Sequence, residues 1–245
     1  MTPAQQVSVL IPAAYVLGSV PFGLIVGKSK GIDPRTAGSG NIGATNVGRL
    51  LGKRFFFMVF LLDLLKGMLP MLAAGWVLRG APQEPKTFAL WLVVGFAAIL
   101  GHMFSLFLGF KGGKGVATSS GVVLGLFPYF TIPGLVCLLL WFATFKLTRY
   151  VSLASVLAAV AFPAVYIATG LVWRPPWPVF GAQWPLLAFA VLIALMIVWK
   201  HRGNIARLRA GTEHQFDPAE KPAAAGNGAG AMAKPTPSDT PTVGV

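Results

Sequence analysis

Long apolar runs alternate with short polar joints along this chain. The runs cover about Val7–Val26, Phe55–Leu78, Phe88–Leu108, Val116–Phe145, Val151–Val172 and Trp184–Trp199. A helix needs roughly 20 apolar residues to cross the hydrocarbon core of a bilayer, and most of these runs meet or approach that length. The run from Val116 is too long for one untilted span, and Pro128 and Pro133 interrupt it. It divides into two short helices, about Val116–Phe127 and Ile132–Phe145, which read either as two spans in a locally thin bilayer or as a re-entrant pair. The pattern predicts an all-α integral membrane protein of about seven transmembrane helices.

Charge fixes the expected orientation. Lys and Arg gather in short inner loops of membrane proteins. Seven spans with the N-terminus outside and the C-terminus cytoplasmic leave only Arg79, Lys86 and Arg174 in outer loops. Six spans would put Lys146, Arg149 and the basic cluster from Lys200 to Arg209 outside. With seven, two glycine-rich segments, Gly38–Arg49 and Phe110–Ser119, share the cytoplasmic face with the Arg149–Ser155 and His201–Arg209 stretches.

Composition narrows the classes further. The 245 residues are 55% hydrophobic and only 11% charged, against about 25% charged in a soluble domain. The net charge of +13 lies beside apolar runs, so it answers to membrane lipid headgroups and not to nucleic acid. The single cysteine, Cys137, excludes an internal disulfide and a cysteine metal cluster. No Lys or Arg precedes the first apolar run, so a cleavable signal peptide is not expected. The Trp-rich, Pro-rich segment Trp173–Trp184 reads as an interfacial outer loop. Residues 1–216 are expected to form the membrane-integral domain. Residues 217–245, rich in Ala, Gly, Pro, Ser and Thr, are expected to be a disordered cytoplasmic tail.

The two glycine-rich segments carry the chemistry. The first reads GSGNIGATNVGR and the second FKGGKGVATS. Glycine lets backbone N–H groups approach an anion, and adjacent Lys or Arg adds charge. Gly38–Gly43 formally matches G-x-G-x-x-G, but the dinucleotide fingerprint requires a preceding strand in a βαβ unit, and an apolar helix precedes it here. Lys111–Lys114 is not a phosphate-binding P-loop, since Gly115 follows Lys114 in place of Ser or Thr. In the first segment Ser39, Asn41 and Arg49 offer hydroxyl, amide and guanidinium groups, and a guanidinium grips phosphate with two N–H groups. In the second, Lys111 and Lys114 flank a stretch that can open a helix toward an anion. Each segment alone also reads as an ordinary basic inner loop. Asp63 and Lys66 lie three apart in an apolar run, which predicts a structural ion pair on one helix face. His102 reads as a packing group, and His201, beside Arg202 and Asn204, as a substrate residue or interfacial anchor. Ser152 and Ser155 suit helix-end roles.

Together these segments resemble the bacterial acyl-phosphate:glycerol-3-phosphate acyltransferase family. The resemblance rests on Pro21–Gly23, GSGNIGATNVGR, Asp63–Gly67, Gly101–His102, FKGGKGVAT and HRGNIARLRAGTE at His201–Glu213. It implies transfer of a fatty acyl chain from acyl phosphate to the 1-hydroxyl of glycerol 3-phosphate at the cytoplasmic face of a bacterial inner membrane. The products would be lysophosphatidic acid and phosphate. It also implies functional coupling to an enzyme that produces acyl phosphate. No cofactor and no metal are expected. Carried over by motif, Ser39, Asn41, Arg49, Lys111, Lys114, Ser152, His201 and Asn204 become substrate and phosphate binders, with Lys114 the main lysine. His201, Ser39 and Asn204 become the catalytic set. Two positions depart from the pattern: Ser105 stands where a proline is expected, and Gly203 where a larger polar residue is usual.

Acyl phosphate carries its own good leaving group, so positioning and charge stabilisation suffice without a Ser or Cys nucleophile. None of His102, His201 or His214 has Asp five residues later, so the His-x4-Asp arrangement of other acyltransferases is absent. Whether His201 or the substrate's own phosphate takes the proton stays open at this level. A transporter of a phosphorylated metabolite would also need cationic pockets between helices, and the broken run Val116–Phe145 keeps that alternative.

Overall fold

The computed structural model describes residues 2–173 and 177–216. These form helices and no strand. The expected tail 217–245 lies outside the described residues, as do Arg174, Pro175 and Pro176 of the Trp-rich loop.

The first apolar run is broken where its sequence was read as continuous. Helix α1 (Pro3–Ser19) ends before Pro21, and α2 (Phe22–Ser29) restarts the chain. Proline lacks the N–H that would continue the helix, which accounts for the break. The short α3 (Ala44–Leu51) closes the first glycine-rich segment, and Gly52 at φ 95° turns the chain into α4 (Lys53–Val77). Then come α5 (Pro85–Met103), a 3-10 turn (Leu106–Leu108), α6 (Val116–Gly125), α7 (Thr131–Thr148), α8 (Val151–Val172), α9 (Trp184–Lys200) and α10 (Arg202–Arg209).

The long run divides unequally. Helix α7 has 18 residues and is long and apolar enough to cross a membrane. Helix α6 has only 10 residues, so it rises about 15 Å, half the thickness of a hydrocarbon core. Among the described residues, by length and composition, five helices can span, or six if α9 and the steeply bent α10 count as one. One of the seven apolar segments of the sequence is thus carried by a helix of half length.

Packing explains how so short a helix is held. Helix α6 packs along α4, α1 along α5, and α7 to α9 in succession. A Cβ on Gly67 would collide with the Thr118 carbonyl oxygen, and one on Gly121 with that of Leu64. Small residues let helix backbones approach closely where lipid supplies no hydrophobic drive between helices. Residues 64–67 lie mid-way along α4, so α6 and the lysine loop before it sit against the middle of that helix. Around this seam the buried core gathers Met71, Ile99, Met103, Val122 and Phe130. The many exposed large apolar side chains, such as Phe57, Leu139 and Leu195, form the outer surface expected of helices facing lipid.

Candidate active site

Asn46 organises the first glycine-rich segment. Its Nδ2 donates to the carbonyls of Pro34 (2.9 Å), Ala37 (3.1 Å) and Asn41 (2.8 Å), and its Oδ1 accepts the Ser39 N–H at 2.8 Å. Asn41 Oδ1 accepts the Gly43 N–H at 2.8 Å. Gly38 and Gly40 hold φ of 60° and 69°, backbone that a side chain would strain. Ser39 is left exposed at the top of this loop and Asn41 half-buried, while Asn46 is fully buried. Asn46 lies in the same glycine-rich segment as Ser39, Asn41 and Arg49, and its burial makes it the loop's internal clamp.

The second segment is pinned to the C-terminal end of α5. The Gly112 N–H donates to the Met103 carbonyl at 3.2 Å and the Gly113 N–H to that of His102 at 3.0 Å. Lys200 Nζ donates to the same Met103 carbonyl at 2.9 Å and lies 4.4 Å from the Phe104 ring centroid. Beneath the loop, Asp63 Oδ1 lies 2.8 Å from Lys66 Nζ and 3.7 Å from His102 Nδ1. Lys66 also donates to the Val20 carbonyl at 2.8 Å, at the break between α1 and α2. Ser105, the first departure from the family pattern, ties its hydroxyl to the Ser19 carbonyl at 2.6 Å.

Lys114 leaves this loop toward the opposite wall and donates to Asn204 Oδ1 at 2.5 Å. Asn204 Nδ2 donates to Glu213 Oε1 at 2.6 Å, which also accepts the Ser152 hydroxyl at 2.8 Å. Arg207 Nε donates to Glu213 Oε2 at 2.8 Å. Arg49 donates from Nη2 to the His214 carbonyl at 3.0 Å, and its buried Nε has no hydrogen-bond partner. His201 caps α9 with its Nδ1 2.8 Å from the Ile197 carbonyl oxygen. A carbonyl only accepts, so Nδ1 carries the proton and Nε2 keeps its lone pair. A Cβ on Gly203, the second departure, would meet only Arg207 Nη1, at 3.7 Å, so that glycine does not disturb His201.

The structure thus brings Arg49, Lys114, Ser152, Asn204 and Glu213 into one polar group, with His201 buried beside Lys114. Lys111 is exposed, and among the described residues its side chain bonds to none of these groups. Sequence reading missed Glu213. The signal was there: the chain has only seven acidic residues, and Glu213 is the single acid in a strongly basic stretch after α9.

Electrostatics set the working charges. Burial pulls the Lys114 ammonium down to about 8, with Arg207 and Arg49 pushing the same way against Glu213. Burial, then the Lys114 charge, brings His201 down to about 4, so it is a neutral imidazole at physiological pH. Burial opposes ionisation of Glu213, but hydrogen bonds from Asn204, Ser152 and Arg207 outweigh it and hold its carboxyl below the ordinary range. A neutral acceptor on His201 and two cations with donor capacity can hold a phosphate and a hydroxyl together.

Known proteins share this chain's sequence and shape. The sequence model of the glycerol-3-phosphate acyltransferase family matches residues 8–211. A glycerol-3-phosphate acyltransferase of Geotalea daltonii is 45% identical over 212 residues, 85% of this chain and 96% of the relative. One from Aquifex aeolicus is 43% identical over 212 residues, 84% and 97% of the two chains. Crystal structures of PlsY (YgiH), an integral membrane glycerol 3-phosphate acyltransferase, superpose on this fold at 40% identity. The glycerol 3-phosphate form has a TM-score of 0.74 and covers 86% of this chain and 96% of its own. The lysophosphatidic acid form has a TM-score of 0.72, covering 87% and 96%.

Proposed function

The chain belongs to the glycerol-3-phosphate acyltransferase family, and from that premise we propose that its acyl donor is an acyl phosphate. It is an all-helical integral membrane glycerol-3-phosphate acyltransferase of phospholipid synthesis. Family membership across most of the chain displaces the transporter alternative.

The observation that carries the donor assignment is the pair Arg49 and Lys114 beside one hydrogen-bonded cluster of Asn204, Ser152 and Glu213. A phosphate leaving group brings its charge to such a cluster, where partly buried cations stabilise it strongly. The 1-hydroxyl oxygen attacks the acyl carbonyl carbon; the new ester C–O bond forms as the acyl carbon–phosphate oxygen bond breaks. Lys114 and Arg49 take the negative charge. The proton goes to the substrate's own phosphate, whose second pKa near 6 makes it a better acceptor than an imidazole held at about 4. His201 Nε2 then orients the hydroxyl by accepting its hydrogen bond, and Asn204 keeps Lys114 aimed. Ser39 and Asn41 on the first loop present further donors to a phosphate, and Lys111 attracts the anions from outside. Asp63 with Lys66 acts structurally, bracing the lysine loop.

The same reading puts the N-terminus outside and the site at the cytoplasmic face of a bacterial inner membrane. The basic residues at the site end, among them Lys28, Lys53, Lys200 and Arg202, support it through the positive-inside rule. A donor as hydrolysable as acyl phosphate further calls for coupling to an enzyme that makes it. Purified protein given acyl phosphate and glycerol 3-phosphate should release lysophosphatidic acid and inorganic phosphate in equal amounts. Product formed from an acyl thioester, with none from acyl phosphate, would sink the donor assignment.

The pH dependence has a definite sign. A bound phosphate favours the charged ammonium and raises its pKa, so affinity is steady while free Lys114 is protonated. Above about 8 the KM of the phosphorylated substrate should climb, by up to about tenfold per pH unit. Lys114→Arg, which stays charged, should flatten that limb. A wild-type KM level from pH 7 to 9.5 would contradict Lys114 as the phosphate cation.

A further inference from the structure

The chain does not leave the site after α10. Gly211, at φ 69°, turns it back, and Thr212–Phe216 runs across the ends of α3, α4 and α7. Glu213 and His214, which bond to Ser152, Asn204, Arg207 and Arg49, ride on this five-residue strap. Its far end is held by Phe216. The Phe216 N–H donates to the Arg149 carbonyl at 2.9 Å. Its ring sits 5.4 Å from Phe56 of α4 and 6.1 Å from Phe145 of α7, and the residue is only 7% exposed. Arg149 itself ends α7 in the left-handed region at φ 59°, a conformation uncommon for a residue with a side chain. The family match stops at residue 211, so the strap lies beyond the matched segment.

We propose that Phe216 is a positioning residue: lodged between Phe56 and Phe145, it seats the Glu213 carboxylate and the His214 carbonyl against the substrate-binding side chains. The physical need is entropic. Without an anchor after it, Glu213 would have to hold three hydrogen bonds from a free strand, at the cost of ordering every residue between Gly211 and itself. An aromatic plug in a pocket of two rings supplies that anchoring through packing remote from the chemistry. The effect on turnover is indirect, through Asn204 and Lys114, and the inference rests on Glu213 belonging to the site as read above.

The test is a double-mutant cycle on the full chain in detergent, with kcat and KM measured for glycerol 3-phosphate. Phe216→Ala is expected to raise KM about tenfold and change kcat less. Phe216→Tyr should restore near-normal KM, because it keeps the ring. In a Glu213→Gln background, Phe216→Ala should add little, since the group it positions has already been altered. Should Phe216→Ala fail to yield folded protein, Phe216→Leu, a smaller apolar plug, enters the same cycle. Unchanged KM in the single variant, or equal losses with and without Glu213, would overturn the proposal. Glu213→Gln without effect would instead remove the reading of Glu213 on which it rests.

Discussion

Lys114→Ala should lower kcat/KM by about a hundred- to a thousandfold, the usual loss when one preorganised donor to a developing charge is removed. Lys114 is the cation that reaches across the site, bonding to Asn204 ninety residues away. Its pKa, brought down to about 8, marks an ammonium taken largely out of water with only a neutral amide as direct partner. A phosphate oxygen is a better partner than either water or that amide, so the charge is poised for substrate. Arg49→Ala should cost a similar factor, because Arg49 has a buried Nε with no partner and spends Nη2 only on a main-chain carbonyl. Both variants should remain folded, since each loses a single side-chain hydrogen bond and breaks no ion pair among the described residues. The check is steady-state kinetics on protein that elutes as a single species and melts like the parent. Wild-type turnover from folded Lys114→Ala would end the phosphate-site assignment. Lys111→Ala should lose far less, as an exposed side chain outside the bonded group.

Asp63→Ala should act on folding first. Asp63 and Lys66 are 3% and 2% exposed, and His102 completes the buried group at 5%. Removing the carboxylate leaves the Lys66 ammonium in the bundle with no counter-charge, held by the Val20 carbonyl at 2.8 Å and the face of the Phe22 ring. Breaking a buried pair from one side costs about 3–5 kcal/mol, which corresponds to roughly 10 °C in melting temperature for a chain of this size. The Asp63→Leu, Lys66→Met double variant should recover most of the loss, because a well-packed apolar pair is often as stable as a buried ion pair. Thermal melts in detergent decide it. A normal melt with abolished activity in Asp63→Ala would move Asp63 from bracing to chemistry.

How far the site was legible depended on the distance between its parts. Arg49, Ser152, His201 and Asn204 lay in motifs that the chain displays locally. Lys111 and Lys114, two lysines flanking two glycines, were told apart only by the family resemblance, which made Lys114 the main lysine. The loop's pinning to the His102 and Met103 carbonyls separates them, leaving one exposed and one turned inward. Glu213 was visible as an acid out of place but had no assignable partner, because Ser152 stands 61 residues before it. Asn46 looked like any loop amide until burial showed it bonding to four backbone groups.

The sequence by itself determined the helical class, the approximate ends of most helices, and the gathering of basic and glycine-rich joints. These follow from local free energies: apolar transfer into lipid is summed residue by residue along each run, and proline or glycine stops a helix where it stands. Tertiary structure decided the break at Pro21 in its packed form, the half length of α6, and which polar side chains meet. Those depend on how closely α4 and α6 approach at Gly67 and Gly121, and on where the strap after α10 is lodged. Close approach and lodging are properties of pairs of distant segments, and no single run of residues encodes them.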